Sequence, residues 1–87
     1  MDGPPLPDLV LYGRPGCHLC DEARDAILEL RVGGADFELE EIDIETDDEL
    51  HRSYLERIPV VAVDGELVSE LILDTGALRA RIGTVRG

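Results

Sequence analysis

Two cysteines stand three apart in the run Arg14-Pro15-Gly16-Cys17-His18-Leu19-Cys20. The apolar segment Leu9-Val10-Leu11-Tyr12 precedes them and a helical pattern follows, which places the pair where a strand passes into a helix. The first N–H groups of a helix have no internal partner, and the helix dipole puts partial positive charge there. A thiolate is stabilised at that position, so Cys17 should release its proton more readily than a free thiol. Cys20, at i+3, lies one turn further on the same face. It is close enough to attack a mixed disulfide formed at Cys17. The spacing therefore suits dithiol–disulfide exchange, with Cys17 as nucleophile and Cys20 as resolving thiol.

Two neighbours can tune that chemistry. Arg14 can stabilise the Cys17 thiolate and capture a carboxylate, or it is a solvated turn residue. His18 can assist when protonated, because imidazole titrates near neutrality; the alternative is an exposed residue at a helix start. Exposed dipole and charge effects contribute about 0.3–1 kcal/mol each. Together they lower the Cys17 thiol toward neutrality, and Asp21 and Glu22 in the same turn oppose them. The same sulfurs could instead serve a metal or iron–sulfur carrier. A structural zinc site needs four ligands, and beyond the cysteines the histidines are only His18, pinned between them, and His51.

The chain that positions these residues is 87 long, enough for one domain. Its 44% hydrophobic content argues for a folded globule. The formal net charge is −12, with arginine as the basic residue throughout and no lysine. Nucleic acid is not an expected partner, since phosphate contacts need clustered basic charge, and an anionic membrane surface would repel the chain. No apolar run approaches a membrane span. The N-terminal residues lack the basic and apolar regions of a secretory signal. A reducing cytoplasm is the expected setting, where paired cysteines are reactive more often than structural.

Residues 1–8, rich in proline, read as a loose lead-in. Leu9–Tyr12 reads as a central strand. In the helix that follows, Leu19, Ala23, Ala26, Ile27 and Leu30 trace one stripe, and Gly33-Gly34 stops it. A second strand is expected over Phe37–Ile44, with a bulge or end at Glu40-Glu41 where the alternation changes phase. Thr46 and Glu49 have capping-box spacing for a second helix, with Leu50, Tyr54 and Leu55 inward. Val60–Val63 is a third strand, Asp64-Gly65 a tight hairpin turn, and Glu66–Ser69 a fourth strand. Asp74 or Thr75 caps a last helix with Ala77, Leu78 and Ile82 inward, which Gly83 ends. Strands joined through helices should run parallel. The result is one domain over 9–83 with a frayed tail at 84–87. It is an α/β unit of order β-α-β-α-β-β-α, with a four-stranded mixed sheet and three helices. The stretch from Asp36 to Glu49 holds nine carboxylates and no base; it reads as a solvated face that favours a monomer.

The Tyr12–Cys20 run, the Ile58-Pro59-Val60 step and the Asp64-Gly65 hairpin together resemble the glutaredoxins. More narrowly, Gly16–Ala23 is similar to a bacterial group of small glutaredoxin-like proteins. The resemblance covers roughly residues 8 to 83. It implies a thioredoxin-like fold and disulfide reduction. By position, Cys17 matches the family's nucleophile, Cys20 its resolving cysteine, Arg14 the basic residue before the nucleophile and Pro59 its cis-proline. Ile58 would offer its backbone to an extended peptide or to glutathione. His18-Leu19 and Ser69-Glu70-Leu71 depart from the family's usual residues, and Glu70 sets a like charge near an anionic tripeptide. The expected partner is a disulfide-containing protein or a glutathione mixed disulfide. Glutathione or thioredoxin reductase would be the reductant, and no cofactor would be bound. A redoxin serving one partner protein is the alternative.

Overall fold

The computed structural model describes residues 6–86, with side chains described through Ile82. Residues 1–5 of the expected lead-in and Gly87 of the expected tail lie outside the described residues. In chain order come β1 (Asp8–Gly13), α1 (His18–Val32), β2 (Glu38–Asp43), a 3-10 turn (Ile44–Thr46), α2 (Asp48–Tyr54), β3 (Val60–Val63), β4 (Glu66–Glu70) and α3 (Thr75–Arg86). The strands form one mixed sheet in the order β2-β1-β3-β4.

Strand alternation divides the core. Leu9 and Leu11 of β1 and Val61 and Val63 of β3 turn one way and bury against Ile27 of α1 and Leu78 and Ile82 of α3. Val60 turns the other way and meets Cys20, Ile44 and Ile58, with Tyr12, Leu50 and Tyr54 packed around them. The cysteine pair thus sits on the second, smaller cluster, at the end of the sheet where β1 runs into α1.

β1 and β2 are parallel, as the helical connection predicts, but β3 runs antiparallel to β1. The rule that helix-linked strands run parallel fails for β2 and β3. Seven residues of α2 rise about 10 Å, half the roughly 20 Å length of a six-residue strand. The chain therefore re-enters the sheet at the end it left. β2 also shows no bulge at Glu40-Glu41: its register with β1 is unbroken from Glu38 to Asp43. It is an edge strand with Glu38, Glu40 and Glu41 exposed, and the phase changes because Leu39 packs on the larger cluster while Ile44, of opposite parity, enters the smaller one. The irregularity lies in the β3–β4 ladder, where Val68 is passed over between Ser69 and Leu67.

Local signals explain most element ends. α1 closes on a Schellman pattern: the Ala35 N–H donates to the Leu30 carbonyl at 3.0 Å and that of Gly34 to the Arg31 carbonyl at 3.1 Å. Gly34 has φ +109°, a conformation open to glycine. Asp64 and Gly65 have φ of +53° and +84°, the paired positive values of a type I′ hairpin. Asp74 is the cap of α3, its Oδ1 accepting from the Ala77 N–H at 3.0 Å.

Further expectations are corrected. The cap of α2 is Asp47, whose Oδ1 accepts from the N–H groups of Glu49 and Leu50 at 2.8 and 3.1 Å. The Thr46 hydroxyl is already committed, donating to the Asp43 carbonyl at 2.7 Å. Leu19 and Leu55 are exposed; Cys20 takes the place of Leu19 on the buried stripe of α1. α3 continues through Gly83 to Arg86, because one glycine in a helix costs only about 1 kcal/mol. The expected 84–87 tail is therefore helical up to Arg86. At the other end, β1 already includes Asp8, the last residue of the expected lead-in.

Just beyond β4, Leu71 has φ +63°, a left-handed conformation that costs a residue with a side chain about 1–2 kcal/mol. Its N–H donates to the Arg57 carbonyl at 2.8 Å. Ser69, buried, shapes the same turn by donating to the Ile72 carbonyl at 3.1 Å and accepting from the Asp74 N–H at 3.0 Å.

Asp47→Ala should lower stability by about 1 kcal/mol, and Thr46→Ala by clearly less, in urea unfolding. The reverse order would return the cap to Thr46.

Candidate active site

The turn Arg14-Pro15-Gly16-Cys17 delivers the first sulfur. The Cys17 N–H donates to the Arg14 carbonyl at 3.3 Å and Gly16 has φ +79°, as a type II turn with proline second and glycine third requires. Cys17 is then the N-cap of α1, with extended backbone, and its Sγ accepts from the Cys20 N–H at 3.1 Å. This is the orphan-amide contact that a helix start offers to an anion. The sulfurs of Cys17 and Cys20 are joined in a disulfide, with the Cα atoms 5.2 Å apart.

The two sulfurs meet different surroundings. Cys17 is half-buried, whereas Cys20 is 6% exposed and packed with Ile44, Ile58 and Val60. Of the two residues, Cys17 is the more exposed.

Gly13, at the end of β1, makes this packing fit. A Cβ there would lie 2.9 Å from Cys20 Sγ and 3.1 Å from its Cβ. The sequence reading does not single out Gly13. The signal available was a glycine directly between an apolar strand and the cysteine turn, a place where backbone and side chain approach closely.

The remaining predicted site residues divide. Ile58 and Pro59 are buried, the peptide bond between them is cis, and Ile58 packs in the cluster that holds Cys20. The Ile58 N–H donates to the Tyr54 carbonyl at 3.0 Å, so that donor is engaged within the fold. Arg14 faces Glu45 at 3.9 Å. His18 is exposed, with Nε2 2.8 Å from Glu22 Oε2 one turn along the helix. Among the described residues, neither side chain makes an ion pair or hydrogen bond with Cys17. Also among the described residues, no group of three or more His, Cys, Asp and Glu side chains is placed to hold a metal ion, and no helix is long and apolar enough to cross a membrane.

Tyr12 and Tyr54 pack against the cluster that holds Cys20, with ring centroids 5.0 Å apart at a 52° tilt. Burial, and next the neighbouring Tyr54 and Glu40, push the Tyr12 phenol above its ordinary value.

The family model of the glutaredoxin-like domain (DUF836) matches residues 8–83. The chain belongs to this glutaredoxin-like family. Protein Ne2328 from Nitrosomonas europaea is 33% identical, the match covering 94% of this chain and 98% of that one with a TM-score of 0.77. Protein XcR50 from X. campestris is 32% identical over 87% of this chain and 96% of that one, with a TM-score of 0.69. A mutant thioredoxin from Halobacterium salinarum shares the fold at 23% identity and a TM-score of 0.65, covering 95% of this chain and 77% of that one. No curated protein matches the chain. The glutaredoxin-like domain is thus a thioredoxin-like α/β fold carrying a Cys-x-x-Cys pair, and its features fit redox activity.

Two outcomes test this geometry. Gly13→Ala should destabilise the oxidised protein by about 1–3 kcal/mol in urea unfolding, because the short Cys20 side chain is tethered and has little room to move. A neutral result would show that the sulfur yields freely. Tyr12 holds its proton more tightly when folded, so its contribution is present below the ordinary tyrosine value of about 10 and is lost as pH rises through the raised folded value. Tyr12→Phe should make the alkaline loss of stability shallower; an unchanged pH profile would contradict the shift.

Proposed function

We propose that this glutaredoxin-like domain reduces disulfide bonds by dithiol–disulfide exchange. In the reduced protein the Cys17 thiolate attacks one sulfur of a substrate disulfide. A Cys17–substrate disulfide forms and the other substrate sulfur leaves as a thiolate. Cys20, having lost its proton, then attacks Cys17 Sγ, the substrate leaves as its second thiol, and a Cys17–Cys20 disulfide remains. Two electrons pass from the protein to the substrate. A separate thiol reductant, glutathione or thioredoxin reductase, returns them in the next cycle. The electrons travel through sulfur, so the proposed cycle calls for no bound cofactor.

One observation carries the reading: two sulfurs in bonding contact at a helix N-terminus, with unequal exposure. The Cys20 N–H that meets Cys17 Sγ in the oxidised form is in place to stabilise the thiolate when the bond opens. The apolar packing around Cys20 disfavours charge on its sulfur, which supports the order of attack. Arg14 is placed to act on the thiolate only if it leaves Glu45, and His18 only if it leaves Glu22. The substrate proposed is a disulfide-containing protein or a mixed disulfide, in a reducing cytoplasm.

Turnover of a model disulfide should be measured with glutathione plus glutathione reductase, and separately with NADPH plus thioredoxin reductase. Wild type should turn over in one of the systems and Cys17→Ser in neither. Cys20→Ser should trap a covalent adduct on Cys17, visible as added mass. Adducts on Cys20 in Cys17→Ser, at the same rate, would reverse the roles. Free thiols without turnover in either system would overturn the reading.

A further inference from the structure

Three large apolar side chains near the disulfide face water. Leu19 is 45% exposed, Leu71 49% and Ile72 77%. They come from two elements, the first turn of α1 and the turn after β4, and with Leu73, Ala23 and Ala26 they line one shallow depression of about 180 Å³. Leu19 lies between the two cysteines in the chain. Leu71 is held at the other side through its N–H bond to Arg57, the residue before Ile58, which itself packs with Cys20. The depression is therefore tied at both walls to the segments that surround the sulfurs.

Among the described residues, these three side chains belong to neither buried cluster. Leu71 occupies a left-handed backbone position where glycine would be unstrained, and half of its surface is left in solvent. Apolar side chains exposed side by side, in a hollow that includes the residue between the two cysteines, offer a partner a contact surface.

The surrounding charge says what sits there. Glu22, which faces the exposed His18, lines the depression, and Glu70, which faces Arg57, and Asp74 flank the segment that forms its other wall. The arginines on either side of the site already face carboxylates: Arg14 faces Glu45, and Arg57 faces Glu70 at 3.8 Å. These two arginines thus offer an anionic small disulfide no free charge, while the chain as a whole carries a formal charge of −12. Complementarity asks for a cationic partner.

We propose that the disulfide reduced at Cys17 belongs to a basic protein, which seats an apolar side chain flanking its cysteine in the depression formed by Leu19, Leu71 and Ile72. This rests on the redox reading above and adds the class of substrate. The apolar anchor supplies affinity and the acidic rim draws the partner in and orients it.

Two synthetic peptide disulfides of equal length test it, one with leucine and arginines beside the cysteine, the other with serine and glutamates. Oxidised glutathione is the third substrate. Wild type should favour the leucine–arginine peptide by about tenfold or more in kcat/KM, and the preference should shrink at high salt. In the Leu71→Gly, Ile72→Ser double variant the ratio between the two peptides should fall about tenfold. Leu71→Gly removes a side chain from a left-handed position, so this variant should keep its fold, to be checked by circular dichroism. Equal rates on both peptides, a preference that survives the double variant, or oxidised glutathione as the best substrate would each overturn the proposal while leaving the redox reading intact. Absence of turnover on all three substrates would overturn both.

Discussion

The amide of Cys20 points at the sulfur of Cys17, and the site depends on that contact. It exists because α1 starts where it does, with an extended residue at the cap and the first turn coiled behind it. A helix start is electron-poor whatever residues compose it. Placing a cysteine at the cap turns this backbone property into a site for a sulfur anion. In an acidic chain, with Asp21 and Glu22 in the same turn, few other devices would favour negative charge at this point.

Holding the helix start in place needs the rest of the fold. β1 brings the chain to the site and ends at Gly13, whose missing side chain leaves room for Cys20. The 3-10 turn after β2 and the Ile58-Pro59 step contribute Ile44 and Ile58, which close over the inner sulfur. The asymmetry between an outer and an inner sulfur is therefore a packing result. Residues more than twenty positions away in the chain produce it.

Charge is distributed so as not to disturb this core. Carboxylates line the edge strand β2, where unpaired backbone groups would otherwise invite another strand. Others cap helices, as Asp47 and Asp74 do, where the dipole welcomes them. Several arginines are spent as local pins: Arg31 bonds the Phe37 carbonyl at 2.9 Å and lies 4.7 Å from the centre of its ring, and Arg81 joins Glu66 at 2.8 Å. Of the apolar side chains left in solvent, Leu19, Leu71 and Ile72 share one depression, whereas others such as Val32 and Leu67 stand apart from it.

Much of the protein was legible in the sequence because the signals were local. The cysteine spacing, the Gly33-Gly34 stop, the Asp64-Gly65 hairpin and the apolar run of β3 each act within a few residues, and backbone sterics and unpaired amides give them one outcome. Contacts between distant segments were not legible. The direction of β3 depended on how far α2 could carry the chain, and the change of phase along β2 reflected two separate clusters that only the packed sheet defines. The closeness of Gly13 to Cys20, the pairing of Arg14 and His18 with glutamates, and the exposure of Leu19 were decided only when strands and helices met. The sequence by itself determined which sulfur caps the helix. The tertiary structure decided which sulfur is enclosed, because burial depends on side chains that no spacing along the chain brings together.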